Sequence, residues 1–180
     1  MSKHFKVLNL IGITAGIVML LSIFLPYVAG NTGEIADELQ NHGITPFGAM
    51  KNGISQFTYA MVYLNSEKAG LSSDYVFYAV LFFIAWEFIA LVLVFQIAKK
   101  PKAVITFSVL TILMNLLLRY DYLDRGIVGG FMNNKFGISL YQFFGLSALE
   151  IILSILMIIE RKNKHSEAAG CCLKPIRRSS

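Results

Sequence analysis

The chain has only two cysteines in 180 residues, and both, Cys171 and Cys172, lie in its polar tail. No disulfide framework can therefore hold its loops together. Charge is scarce as well: 15% of residues are charged, against roughly 25% in soluble domains. Apart from Glu87 and Glu150, charge stays out of four apolar runs, Val7–Ala29, Tyr75–Ala98, Ala103–Leu118 and Gly137–Ile159. The three histidines, His4, His42 and His165, are too scattered for a shared metal site. The chain lacks a phosphate-binding glycine loop and a nucleophile elbow. The reading therefore includes no catalytic residue, no cofactor and no metal. No internal repeat suggests an inverted-repeat transporter.

What is present is hydrocarbon. The chain is 56% hydrophobic with mean hydropathy +0.61. Tyr75–Ala98 is long enough to cross a bilayer at ~1.5 Å per residue. Leu, Ile, Val and Phe fill 15 of its 24 positions. Each gains roughly 0.3 to 0.6 kcal/mol at the helix centre, while an acid costs about 3. The apolar sum outweighs Glu87. These runs predict an all-α, integral membrane four-helix bundle with spans near 7–29, 75–98, 103–122 and 137–159. The loops would be 30–74 and 123–136, the four-span domain 1–160, and the tail 161–180. Val7–Ala29 is too long for a signal-peptide core, and Tyr27 too bulky for its cleavage pattern, so it reads as an uncleaved span.

The basic residues orient this bundle. Eleven of the 16 fall at the termini and in Lys99–Lys102, and five, Lys51, Lys68, Arg119, Arg125 and Lys135, fall toward the outer side. This bias predicts both termini in the cytoplasm of a plasma-membrane protein. The net charge of +5 then faces lipid headgroups, not nucleic acid. All eight tyrosines fall toward the outer side, where an apolar ring with a polar tip suits the interface.

Gly12 and Gly16 form a small-xxx-small pair suited to close packing within the bundle. In the large first outer loop, Thr45 and Pro46 could begin a helix. Phe47, Met50, Ile54, Phe57, Met61 and Leu64 follow at amphipathic spacing, and this segment could lie on the outer leaflet or cover the bundle mouth. Alternation of Phe57, Tyr59, Met61 and Tyr63 leaves a strand over Gln56–Leu64 as the competing reading. Lys99–Lys102 is so short that the second and third spans must form a hairpin. The tail from Glu160 reads as disordered, with Cys171 and Cys172 a free pair or a lipidation site. Four spans with a large first outer loop resemble the claudin-like proteins in plan. That family's tryptophan and cysteine signature is missing from Gly30–Asp74, and no residue role is taken from the likeness.

Polar residues mark the bundle interior. Ser108, Thr111, Asn115 and Arg119 form one stripe on the third span, and Ser139, Ser147, Glu150 and Ser154 another on the fourth. Glu87, Asn115 and Glu150 stand at similar depths, roughly 14 to 18 Å from the cytoplasmic helix ends by helical rise. The expectation is that these three meet, with Arg119 closing the stripe at the outer rim. Two functions follow. One is an accessory protein that binds a protein partner or another copy through its outer loop or an intramembrane face. The alternative is a proton- or cation-coupled transporter or channel component using the paired glutamates. An enzyme has the least support.

Overall fold

The computed structural model describes residues 3–30, 53–68, 76–129 and 134–171, with side chains in the last helix described to Lys164. Its elements are α1 (Lys3–Leu21), a 3-10 turn (Ser22–Phe24), β1 (Pro26–Ala29), β2 (Gly53–Ser55), α2 (Gln56–Leu64), α3 (Val76–Ile97), α4 (Pro101–Asp124), β3 (Lys135–Phe136) and α5 (Ile138–Cys171). Four of the helices are long and apolar enough to cross a membrane, with mean hydropathy between 1.8 and 2.5. They pack as a ring in which α1 and α4 each touch both α3 and α5. Residues three and four apart turn inward. On α3 these are Ala79, Phe82, Ala85, Ile89, Val92 and Gln96. The opposite side exposes Phe77, Val80, Phe83 and Val94, as expected of a helix that faces lipid.

One end of the bundle is tied by the α3–α4 hairpin. Lys99 takes a left-handed φ of 57°, and the Lys100 amide reaches back to the Phe95 carbonyl at 2.9 Å. Pro101 then opens α4 at a position where its missing N–H costs nothing. Arg161 of α5 donates to the Lys99 carbonyl at 2.6 Å and lies 4.9 Å over the Phe5 ring of α1. The Gly12–Gly16 pair packs α1 on α3, as its spacing suggested. A methyl group on Gly12 would collide with the Gln96 carboxamide, and one on Gly16 would stand 3.1 Å from Leu93.

The other end carries a cap that corrects the all-helical expectation. The first helix does not run to Ala29, because Pro26 lacks the N–H a continuing helix needs. Pro26 instead starts β1, the middle strand of a three-stranded sheet in the order β2–β1–β3. Both neighbours are antiparallel, with Val28 opposite Ile54 and Phe136. The Gly137 amide bonds the Tyr27 carbonyl at 2.8 Å, and a side chain at Gly137 would strike the Pro26 carbonyl.

Gln56–Leu64 is helix, not strand. Its cap is Ser55, whose hydroxyl accepts from the Thr58 amide at 3.2 Å. Thr45, Pro46, Phe47 and Met50, the expected start of this helix, lie outside the described residues, as do Tyr75, His42 and Cys172. The tail also differs from expectation: α5 continues to Cys171. Glu160, Arg161, Lys162, Lys164 and Ala168 are good helix formers, and Glu160 and Lys164 have favourable i, i+4 spacing.

Candidate functional site

The inward stripes exist, but they do not form the cluster expected of them. Ser108, Thr111 and Asn115 on α4 are buried, as are Ser139, Ser147, Glu150 and Ser154 on α5. Arg119 is exposed and sits 5.7 Å over the Phe136 ring. Leu118 and Tyr122 take the inward positions above Asn115, continuing the alternation of three and four that starts at Ser108. Glu87 is exposed on the outward face of α3, whereas Glu150 is wholly buried. Since α3 and α5 occupy opposite corners of the ring, the two carboxyls do not pair.

Asn115 instead meets a residue that periodicity did not single out. Gln56, at the start of α2, donates from Nε2 to Asn115 Oδ1 at 3.2 Å. Its Oε1 accepts from the Trp86 indole at 3.2 Å. Asn115 donates onward to the Thr111 carbonyl at 3.0 Å. One buried glutamine therefore joins α2, α3 and α4. Around it is an aromatic wall: Phe57 stacks on Trp86 at 6.0 Å, and Tyr122 meets Tyr27 at 5.2 Å and Tyr59 at 5.0 Å edge-on. The tyrosines are thus divided. Tyr120 and Tyr141 are exposed as interface residues would be, while Tyr27 and Tyr122 are fully buried. Burial pushes the Tyr27 phenol well above its ordinary range, against the opposing pull of Gln56 and Arg119. Arg125 closes this end. It bridges Asp121 at 2.8 Å and lies 3.5 Å over the Tyr78 ring.

A second polar group lies nearer the hairpin. Glu150, Ser108, Ser154 and Gln96 are wholly buried, and no described residue hydrogen-bonds their side chains. Their relative heights follow from helix-to-helix contacts. Phe5 with Arg161, Met19 with Ser147 and Ser22 with Gln142 set α1 antiparallel to α5, which places Glu150 level with Gly16. Arg161 on Lys99 places Ser108 between the heights of Glu150 and Ser154. Gln96, against Gly12, stands level with Ser154. Toward the hairpin the interior thus holds a buried acid with no hydrogen-bond partner among the described residues.

No family model, curated protein or solved structure matches the chain. Its function must be argued from these side chains. Among the described residues, no group of three histidine, cysteine or acidic side chains is placed to hold a metal.

Proposed function

We propose that this is a small multi-pass protein of the plasma membrane, with both termini cytoplasmic, that binds another membrane protein through the α3 face centred on Glu87. The observation that supports this reading most is the position of Glu87. It is exposed near the middle of a helix apolar enough to span a bilayer. Val80, Phe83 and Val94 are exposed beside it. An acid facing hydrocarbon there costs about 3 kcal/mol, and a basic side chain on a neighbouring helix offsets that cost. A second copy is poorly placed to supply it. Most described basic residues stand at helix ends; Arg119 comes nearest, roughly 6 Å toward the cap by helical rise, and its guanidinium lies over the Phe136 ring. The occupant is therefore a membrane helix of a different protein, with lysine, arginine or histidine near its midpoint.

A photo-crosslinker at Phe83 or Val94 tests this in native membranes. The expected product is one discrete protein, crosslinked through a membrane helix bearing such a residue, and lost in Glu87→Leu. Crosslinks to lipid or to a second copy alone refute the reading. So does an equal yield of the same protein from position 152, on an exposed face of α5.

A second reading rests on Glu150, a buried acid with no hydrogen-bonding partner among the described residues. A proton- or cation-coupled carrier needs such a group. In reconstituted vesicles, Glu150→Gln should then abolish a pH- or cation-driven flux that Glu87→Gln retains. Absence of flux in the parent protein removes this reading.

A further inference from the structure

The hairpin end holds a cavity of about 400 Å³ between the start of α4 and α5, lined by Lys100, Pro101, Lys102, Ala103, Ile158 and Arg161. Its lining has two characters. Pro101, Ala103 and Ile158 give an apolar wall. Lys100, Lys102 and Arg161 are exposed at its rim, and no acidic side chain lines it. It lies where the span beginning at Pro101 starts and close to where the span ending at Lys164 stops, the height at which acyl chains meet headgroups. We infer that this cavity binds one anionic phospholipid, its phosphate held by Lys100, Lys102 and Arg161 and its proximal acyl segment against Ile158 and Ala103.

Arg161 is already set in place for this. One of its nitrogens bonds the Lys99 carbonyl at 2.6 Å, and the guanidinium lies over Phe5. A guanidinium has five N–H donors, so most stay available for phosphate oxygens, and less side-chain freedom is lost when they engage. Lys102 projects from the first turn of α4, and Lys100 stands just before it. Three cations on one apolar cavity suit a ligand with a single negative charge and a hydrocarbon chain. Free phosphate would leave the apolar wall uncovered, and a zwitterionic lipid would set its own cation against the three bases.

The test is thermal unfolding of the full-length protein in neutral detergent, titrated with phosphatidylglycerol, phosphatidylcholine or inorganic phosphate. Phosphatidylglycerol should raise the melting temperature saturably, and the other two should not. The double variant K100Q/K102Q should bind phosphatidylglycerol roughly tenfold to thirtyfold more weakly, from about 1 kcal/mol per basic residue near the surface. Lys3→Gln with Lys6→Gln removes equal charge from the same end and should change affinity less than twofold. If K100Q/K102Q does not fold, K102Q alone should show a severalfold loss. Equal shifts with both lipids, a shift with inorganic phosphate alone, or equal losses in the two double variants overturn the inference. None of these outcomes depends on the Glu87 face.

Discussion

Gln56 shows how a single side chain can join three helices. Replacing it with leucine leaves the buried Asn115 Oδ1 and the half-buried Trp86 indole without partners, and such a loss costs about 1 to 3 kcal/mol. Gln56→Leu should therefore destabilise the protein by that amount in a reversible detergent or denaturant titration followed by Trp86, the sole tryptophan. In a double-mutant cycle with Asn115→Leu, the coupling should fall between about 0.6 and 1.7 kcal/mol. Strict additivity contradicts the hydrogen bond. Tyr27 gives a different prediction. Its hydroxyl is buried near Gln56 but meets no described residue in hydrogen-bond geometry, so Tyr27→Phe should be neutral or slightly stabilising at pH 7. The folded phenol titrates above its unfolded value near 10. Its contribution is thus complete below pH ~10 and is lost as pH rises from there toward the folded value. Tyr27→Phe should flatten that alkaline loss, and an unchanged pH profile rejects it. The burial of Asn115 was legible in the sequence because polar residues recur every three or four positions in an apolar helix. Gln56 was not, because its partner is 59 residues away and nothing local distinguishes it.

At the scale of elements, the glycines and the hairpin make the strongest claims. Gly12→Ala drives a methyl group into the Gln96 side chain. Overpacking of this kind costs about 1 to 3 kcal/mol. Shortening the neighbour with Gln96→Ala should recover most of that loss in the double variant, measured by the same titration. Failure of rescue places the clash elsewhere. Lys99 holds a conformation that glycine adopts freely, so Lys99→Gly should be neutral to about 1 kcal/mol stabilising. The four long helices, the tight hairpin and the close packing at Gly12 could all be read from hydropathy and spacing. The sheet could not. The apolar run from Val7 continues unbroken through Tyr27 and Val28, and hydropathy cannot tell a helix from a buried strand. The cue was Pro26, and the decisive fact, pairing with Ile54 and Phe136, is non-local. The extension of α5 past Glu160 was hidden in the opposite way. Its composition resembles a solvated tail, yet the helix before it supplies a nucleus, and continuing a helix is far easier than starting one.

At the scale of the whole molecule, depth and facing separate two acids that look alike in sequence. By the helix registers Glu87 stands roughly 7 Å nearer the cap than Glu150, and one faces outward while the other faces into the ring. Rotation about a helix axis decides this. A helix that is apolar all round, as α3 is, gives no periodic signal to fix that rotation from sequence. The cytoplasmic assignment of the termini and the leaflet of the phospholipid cavity depend on which side of the membrane the hairpin faces. A variant with both native cysteines replaced by serine, carrying one cysteine at exposed Glu67 or Lys164, decides it with an impermeant maleimide. Glu67→Cys should label in intact cells, and Lys164→Cys only after permeabilisation. The excess of basic residues in the two terminal segments and the hairpin, eleven of 16 by sequence, favours that arrangement because bases flanking spans are retained in the cytoplasm. The inverse pattern removes the cytoplasmic assignment and moves the phospholipid cavity to the opposite leaflet. Glu87 would still stand at mid-depth, because its distance from both helix ends does not change when the bundle is turned over. Labelling of both cysteines in intact cells rules out the three crossings that separate them, and with them the hydrocarbon environment that makes an outward acid expensive.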